Sequence, residues 1–317
     1  MQRVLLITNP VSSRHNPEVA KTVSATLASL GVDVDVAGTT RHGDAIRIAA
    51  QGVADGVDAI AVYGGDGTTM QAITGMIGSG IPLALIPGGT GNLLAGNLRV
   101  PKNPALAARL VTEGARRPVD VGAIERPEGT RHFTVATGAG IDALIMEGAT
   151  HDLKRRWGMA AYVISTAGLI STLKPVAYRV TVDGNVLEAN AITVVIANCA
   201  EIGPLYFKLG KEIRLDDGMM DVVVFSASGI VTSVAAMWEL FWDRGGRGRL
   251  LRARGKRITI ESDVVRPVQM DGEVVGVTPL TANVIAGGID VLAPRVPVLP
   301  GTNAPVHITG VSTPAKV

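Results

Sequence analysis

The stretch Asp58–Thr69, DAIAVYGGDGTT, decides the fold of this chain. Its apolar first half predicts a buried strand, and the apolar spacing after Thr69 predicts a helix that starts at once. Between them, three glycines let a ligand approach the backbone, and the N–H groups at the helix start can bind an anion. We therefore expect a phosphate-binding loop with the Asp66 carboxylate at its centre, where it would bind a metal ion or take part in proton transfer.

Known glycine-rich loops match this stretch incompletely. A Walker-type loop ends in Gly-Lys-Ser/Thr, which does not occur in the chain, and a dinucleotide-binding loop has a third glycine where Met70 stands. Taken alone, the glycines leave an ordinary strand-to-helix turn as an open alternative. A second loop of the same kind, Pro87–Asn92, favours the ligand-binding interpretation.

The first third of the chain alternates short apolar runs with helical patterns. Strands are predicted at residues 4–8, 32–37, 58–63 and 82–86, and helices at 17–30, 44–53, from 93 and from 104. This alternation is typical of a doubly wound parallel sheet, in which ligands bind at the carboxyl ends of the strands. Asn9, Thr39 and the two glycine-rich loops each follow a predicted strand, so we expect them to line one crevice.

The pattern changes after Val121. A hairpin is predicted at residues 178–187, further strands at 191–197, 220–225, 257–261, 267–270 and 289–292, and helices only at about 153–173 and 228–242. The chain is therefore predicted to be an α/β protein with two domains. A nucleotide-binding domain with a doubly wound parallel sheet would cover residues 1–122, completed by 293–317. A mainly antiparallel β-sandwich domain would cover residues 123–292.

Composition and charge exclude several classes of protein. Of 317 residues, 47% are hydrophobic, and 30 basic residues nearly balance 28 acidic ones, so neither a disordered chain nor a nucleic-acid partner is indicated. The single cysteine, Cys199, cannot form an internal disulfide, which favours a cytoplasmic setting. The N-terminal apolar run is too short for a signal peptide, and residues 159–173 fall short of a membrane span.

Three motifs together resemble a known family. The stretch Gly64–Thr68, the loop Pro87–Asn92 and the turn Asp216–Asp221 are similar, in this order, to the diacylglycerol kinase catalytic family of lipid kinases, which includes bacterial diacylglycerol kinases and sphingosine kinases. The resemblance runs from Leu5 to about Leu292. It implies ATP-dependent phosphorylation of a lipid hydroxyl, with ATP in a crevice between two domains.

The resemblance also implies roles for individual residues. Glu273 resembles the glutamate that accepts the hydroxyl proton, and Asp66 would hold magnesium or orient the acceptor hydroxyl. The nucleotide would be bound by Asn9, Thr39, Gly64, Gly65, Asp66, Gly67, Thr68, Thr69, Thr90 and Asn92. Without the resemblance, Asp66 could be a helix cap and Glu273 an ordinary residue beside the Asp271-Gly272 turn.

A structural magnesium site is also implied by the resemblance. Arg214 and Met219 would bind the ion through backbone carbonyls and Asp217 through its carboxylate, and such oxygen ligands suit a hard cation. A plain turn before the next strand stays open as the alternative. The chain departs from the family at Leu93, where many bacterial members carry an aspartate of an acidic network near the catalytic metal. Asp120 would be an outer member of that network.

Two further segments could contact lipid. Basic residues 154–156 and Trp157 precede an apolar helical pattern, which suits an anionic membrane surface, although a core helix is the ordinary alternative. The arginine-rich run from Arg244 to Arg257 could bind phosphates or lipid headgroups, or form a solvated face.

We therefore predict a cytoplasmic lipid kinase that uses ATP and Mg²⁺ and acts transiently at the inner membrane surface on a membrane lipid, with diacylglycerol as the first candidate. An NAD kinase-like enzyme shares the first glycine loop but needs an Asn-Glu pair for the nicotinamide ribose, which the chain lacks. The second alternative is a catalytically silent lipid- or nucleotide-binding protein, and the presence of Asp66 and Glu273 argues against it. The acceptor lipid and the oligomeric state, a homodimer included, are left open.

Overall fold

A parallel sheet with helices on both faces forms the N-terminal part of the protein. The computed structural model describes residues 2–10, 16–127, 129–140, 175–202, 207–226 and 250–295. The parallel strands lie in the order β2-β1-β3-β4. Their bounds are β1 Gln2–Thr8, β2 Val32–Gly38, β3 Ala59–Gly64 and β4 Leu83–Pro87. The helices are α1 Pro17–Ser29, α2 Asp44–Ala54, α3 Asp66–Met76, α4 Leu93–Asn97 and α5 Pro104–Glu113.

Local sequence signals fix where several helices begin. The Asn16 side chain caps α1 by accepting the N–H of Glu18 at 3.0 Å, and Asn103 caps α5 in the same way. Helix α3 differs, because its N-cap residue is Gly65 and no side chain of the described residues caps it. The N–H groups of its first turn are therefore available to a ligand.

The rest of the described chain is almost entirely strand. Its strands are β5 Ala115–Arg126, β6 Gly129–Phe133, β7 Ala136–Gly140, β8 Val176–Val182, β9 Asn185–Ala191, β10 Thr193–Ala197, β11 Glu201–Ile202, β12 Phe207–Lys208, β13 Met220–Phe225, β14 Leu250–Gly255, β15 Arg257–Ser262, β16 Pro267–Met270, β17 Glu273–Val277 and β18 Leu280–Ala293. An antiparallel sheet has the order β14-β13-β10-β7-β16-β17. The parallel sheet continues through β18 into β15, β8 and β9, with β5 paired to β18 and β6 paired to β5.

The long strand β18 joins the two halves of the protein. Its first part is antiparallel to β15, and its last part runs parallel to β4, with Val291 opposite Leu83. A register shift against β5 between Ile285 and Ile289, where Gly287 has φ +56°, turns the strand from one half into the other. The short strand that the sequence predicts at 289–292 is thus the end of a 14-residue strand.

Two hydrophobic cores follow from this arrangement. The first lies between the parallel sheet and its helices, with α2 packed on α3 and α1 packed on α5. The second lies between the antiparallel sheet and the continuation of the first sheet, and Phe133, Tyr178 and Ile196 are among its buried side chains. The predicted fold class, a parallel-sheet domain followed by a mainly antiparallel sandwich, is confirmed.

Some predictions concern residues that the structure leaves undescribed. The helices predicted at 153–173 and 228–242, the basic residues 154–156 with Trp157, the arginines 244–249 and the tail 296–317 lie outside the described residues. Among the described helices, none has the length and apolar character needed to cross a membrane.

Candidate active site

The two glycine-rich loops lie side by side at the carboxyl ends of β3 and β4. The N–H of Gly88 donates to the carbonyl of Gly64 at 2.9 Å. A Cβ atom on Gly89 would lie 2.5 Å from the Cα of Gly65, and one on Gly88 would lie 2.6 Å from the Tyr63 ring. Since no side chain fits at such distances, the loops approach each other only because both are glycine-rich.

Asp66 connects the first loop to the second. It is the first residue of α3, and its Oδ1 accepts the N–H of Leu93 at 2.7 Å, at the start of α4. Burial raises the pKa of the Asp66 carboxyl, while the backbone N–H groups of residues 92–94 act against that rise. Asp66 therefore makes a capping contact with the start of α4.

The other residues predicted to bind the nucleotide surround the same loops. The Asn9 amide donates to Thr68 Oγ1 at 2.9 Å, which joins the end of β1 to the first turn of α3. Asn92, with φ +51°, exchanges hydrogen bonds with the backbone of Gly89 at 2.9 and 2.8 Å and so shapes the second loop. Thr39 is buried after β2, and its N–H donates to the Thr8 carbonyl.

A small recess lies between the two loops. Asp66, Thr69 and Asn92 are among its lining residues, together with the ends of β3 and β4. Thr90 lies exposed on the second loop. Of the residues predicted for the nucleotide, those on the two loops are therefore adjacent, Asn9 touches the first loop through Thr68, and Thr39 follows the neighbouring end of β2.

Glu273 reaches this place from the other half of the protein. It is the first residue of β17, it is exposed, and its Oε1 lies 3.7 Å from the position that a Cβ atom would take on Gly67. Gly67 is the second residue of α3. The carboxylate of Glu273 and that of Asp66 thus stand at the same helix N-terminus, one from each half.

Asp271 fixes the turn that carries Glu273. Its Oδ2 accepts the N–H of Thr134 at 2.9 Å, and its Oδ1 accepts those of Val135 and Ala136 at 3.0 and 2.9 Å. Burial raises the pKa of Asp271 to about 6, and the negative charge of Asp66 adds to the rise. The three N–H groups act in the opposite direction and lower the pKa. In the sequence Asp271 is only half of an Asp-Gly turn, and nothing near it indicates this anchoring role.

The charges of this region act on one another. Burial raises the pKa of Cys199 well above its ordinary value, and the negative charges of Asp271 and Asp66 add to the rise. Cys199 lies completely buried next to Asn198, whose amide donates to the carbonyls of Asp120 and Thr134. A buried thiol with a raised pKa is inert, as the sequence suggests for a small buried residue.

Asp120 braces a different part of the molecule. Its Oδ2 accepts the N–H of Gly218 and its Oδ1 that of Gly287, both at 2.7 Å. It therefore ties the Asp216–Asp221 turn to the bulge of β18. These contacts give Asp120 a structural role, and its predicted membership of an acidic network near a catalytic metal stays a prediction.

The turn predicted to hold a structural magnesium ion carries several charged contacts. Asp216 is paired with Arg214 at 3.1 Å. Asp217 Oδ2 lies 2.9 Å from Arg254 Nη2, and its Oδ1 accepts the N–H of Met219 at 3.2 Å. Among the described residues, no cluster of three or more His, Cys, Asp or Glu side chains could hold a metal. Both oxygens of Asp217 are thus engaged by groups of the protein, one of them by the guanidinium of Arg254. The predicted magnesium ligands Arg214, Asp217 and Met219 stay a prediction.

Two known families match the two halves of the chain. Residues 3–124 match the diacylglycerol kinase catalytic domain. Residues 135–293 match the YegS C-terminal NAD kinase beta sandwich-like domain. The junction between the two matches lies at β5 to β7, where the chain passes from the first sheet to the second.

Diacylglycerol kinases and YegS-like lipid kinases both align with most of the chain. A diacylglycerol kinase of Mycobacterium tuberculosis H37Rv is 29% identical over 304 residues, which are 92% of this chain and 96% of the relative. A YegS-like lipid kinase of Pseudomonas putida is 30% identical over 249 residues, 78% of this chain and 81% of the relative. The crystal structure of a diacylglycerol kinase from Bacillus anthracis superposes with a TM-score of 0.72 at 26% identity, covering 92% of this chain and 97% of that one.

These matches confirm the family that the three motifs indicate. They also confirm that the chain is an enzyme of the kinase type, while the name YegS-like leaves the lipid open. With both domains matched in order and the two glycine-rich loops in contact, the chain belongs to the lipid kinase family of the diacylglycerol kinase and YegS type.

Proposed function

We propose that this lipid kinase transfers the γ-phosphate of ATP to the hydroxyl of diacylglycerol, giving phosphatidic acid. The observation that carries the proposal is the position of Glu273, which reaches from the second half of the protein to Gly67 at the start of α3. A phosphate bound at this helix start and a hydroxyl next to Glu273 would lie within reach of each other. The name of the M. tuberculosis relative supports diacylglycerol as the acceptor.

The phosphates of ATP would be held by backbone. The first turn of α3 offers N–H groups that no described side chain caps, and Gly65 and Gly89 carry no side chains that would cover the backbone where the loops meet. Asn9 and Thr68 would support the loop through their hydrogen bond, and Thr39 and Thr90 would contact the nucleotide. Phosphoryl transfer requires mainly such positioning and charge neutralisation from a protein.

Asp66 would hold the magnesium ion that accompanies ATP. Its Oδ1 accepts the N–H of Leu93. Its Oδ2 faces Gly91 and would lie 2.6 Å from a Cβ atom on that residue, so this oxygen is located between the two glycine-rich loops. An oxygen ligand of this kind suits magnesium, which would neutralise the charge on the transferred phosphate.

Glu273 would accept the proton of the lipid hydroxyl. It is exposed and so can be reached by a substrate, and its Oε1 lies 3.7 Å from the Cβ position of Gly67 at the start of α3. Asp271 would act through Glu273 by holding the turn in place, because its carboxylate is anchored by three N–H groups. Proton acceptance by a positioned carboxylate contributes on the order of 10²–10⁴ in rate.

The proposed reaction also assigns a role to each domain and a place in the cell to the protein. We infer a nucleotide-binding domain over residues 1–122, completed by the end of β18, where Val291 and Leu292 pair with β4. The residues between them would form the lipid-substrate domain. The acceptor is insoluble in water, so the protein would work in the cytoplasm at the inner membrane surface.

The test is phosphate transfer from labelled ATP to a panel of acceptors presented in vesicles. The panel contains diacylglycerol, monoacylglycerol, sphingosine and a glycolipid. NAD is included because the description of the second matched domain likens it to the NAD kinase beta sandwich. We expect labelled phosphatidic acid only when ATP and magnesium are both present. Labelling of another lipid would replace the proposed substrate, and labelling of NAD alone would refute lipid kinase activity for this chain.

A further inference from the structure

Arg254 stands between two carboxylates at the Asp216–Asp221 turn. Its Nη2 lies 2.9 Å from Asp217 Oδ2 and 3.0 Å from Asp221 Oδ2, and its Nε donates to Asp221 Oδ1 at 3.3 Å. The same Nη2 approaches the Glu212 carbonyl at 3.3 Å. One guanidinium therefore contacts two carboxylates and one carbonyl, which are the kinds of oxygen that a hard metal ion would take.

These groups are largely withdrawn from water. The exposed fractions of the side chains are 16% for Arg254, 20% for Asp217 and 11% for Asp221. Asp217 and Asp221 both lie within 3.0 Å of the same nitrogen and are largely buried, so their negative charges repel each other. A cation between them offsets this repulsion. The guanidinium supplies that cation from within the chain.

Strand pairing alone positions the Arg254 guanidinium next to the turn, and no bound metal ion is needed for this. Arg254 lies directly opposite Asp221 in the antiparallel pair of β14 and β13. Asp217 precedes β13 by a short turn, and Asp120 holds that turn through the N–H of Gly218. The position of Arg254 is thus set by the backbone of the sheet, and its side chain then fastens the turn to β14.

We propose that Arg254 is the resident cation of this turn, so that the fold requires no structural magnesium where the family resemblance implies one. A divalent ion on Asp217 would stand beside the guanidinium and be repelled by it. Both oxygens of Asp217 are also engaged, one by Arg254 and one by the N–H of Met219. This inference concerns the folded state and does not depend on the proposed substrate.

The first test compares the melting temperature of the wild-type protein in EDTA and in magnesium, with no nucleotide present. A metal that binds only the folded state raises the melting temperature, and its removal lowers it. We expect the same melting temperature in both buffers. A lower value in EDTA that magnesium restores, in the wild type and in Asp66→Asn alike, would show a structural metal away from Asp66 and overturn the proposal.

The second test is a double-mutant cycle, carried out in EDTA, with Asp217→Asn, Arg254→Met and the double variant. Loss of one partner from a largely buried ion pair should lower the melting temperature by about 5 °C or more. We expect the double variant to lose clearly less than the sum of the single losses, because the two residues interact directly. Additive losses would show that Arg254 does not act on Asp217 and would overturn the proposal.

Arg252→Met is the matched control. Arg252 lies two residues away on β14 and pairs with Glu212 at 2.8 Å, with exposed side-chain fractions of 29% and 47%. We expect it to lower the melting temperature less than Arg254→Met and to be additive with Asp217→Asn. If Arg254→Met does not fold, Arg254→Gln, which also removes the charge, replaces it in the cycle, and the comparison of wild type in EDTA and magnesium still decides the question.

Discussion

Gly65 and Gly89 bring the two glycine-rich loops into backbone contact. A Cβ atom on Gly89 would lie 2.5 Å from the Cα of Gly65, whereas a Cβ atom on Gly65 would lie 3.3 Å from the Cα of Gly89. The first distance is too short for any side chain, and the second is tight but allows a small adjustment. The contact is therefore more sensitive to substitution on one side than on the other.

We expect Gly89→Ala to abolish the rise in melting temperature that ATP and magnesium produce, because the added methyl group forces the two loops apart. Gly65→Ala is the matched variant and should keep part of that rise, since its methyl group meets Gly89 at a longer distance. Thermal unfolding with and without ATP measures both. Equal responses from the two variants would mean that the loop contact does not shape the nucleotide site.

Glu273→Gln should fold normally and bind ATP nearly as tightly as wild type, yet lose turnover by a factor on the order of 10²–10⁴, because an amide cannot accept the hydroxyl proton. Steady-state phosphorylation of diacylglycerol vesicles and ATP binding by calorimetry separate the two effects. Glu261→Gln, an exposed carboxylate on β15, is the control and should be fully active. A Glu273→Gln variant with wild-type turnover would leave Glu273 as an ordinary hairpin residue.

Asp66→Asn should lose turnover and also weaken the binding of ATP in the presence of magnesium. The side-chain oxygen of asparagine can still accept the N–H of Leu93, so the loop geometry is preserved while the negative charge that holds the metal is lost. ATP binding measured at several magnesium concentrations tests this. A magnesium dependence identical to that of wild type would remove Asp66 from the metal site.

The buried carboxyl of Asp271 predicts a pH dependence of stability. Its pKa in the folded protein is about 6, above the ordinary value near 4, so the folded state binds the proton more tightly than the unfolded state. Below pH 4 this group costs nothing, and its cost grows as the pH rises to 6. Relative to Asp271→Asn, the wild type should lose about 2 kcal/mol of unfolding free energy between pH 4 and pH 7.

Urea denaturation at pH 4, 5, 6 and 7 measures this difference. Asp271→Asn is also destabilised at every pH. The NH₂ group of the asparagine would replace the oxygen that accepts the N–H of Thr134, so two hydrogen-bond donors would face each other. Only the change of the difference with pH therefore reports the titration. Parallel stability curves for the two proteins would contradict the prediction.

The sequence predicts the parallel half of the fold well because its signals are local. The apolar runs of β1 to β4 and the caps Asn16 and Asn103 act within a few residues, and the glycine-rich loops carry their own geometry. The sequence-based prediction lacks seven of the observed strands, namely β5, β6, β7, β11, β12, β14 and β17. Strand β17 is short and mostly exposed, and the arginines of β14 resemble a solvated face until their partners are known.

The candidate site divides in the same way. Asp66 and the loop residues are identified by a local pattern, and Glu273 is identified by a motif only because a family resemblance supports it. The anchoring of Asp271 by residues 134–136 and the pairing of Asp217 with Arg254 join distant parts of the chain. Tertiary packing alone creates such contacts, so spacing in one sequence contains no signal for them.

The last prediction concerns Asp120, whose two oxygens each accept one N–H, from Gly218 and from Gly287, at 2.7 Å. In Asp120→Asn one oxygen remains and an amide group faces the other N–H, so a buried donor loses its partner at a cost of about 1–3 kcal/mol. Hydrogen exchange measured on peptides covering 215–219 and 284–289 should then rise in at least one of them, while peptides from α2 stay unchanged. Asp263→Asn, an exposed aspartate, is the control. If exchange rises equally throughout the protein, the variant is destabilised globally, and Asp120 is not the specific link between the turn and the bulge of β18.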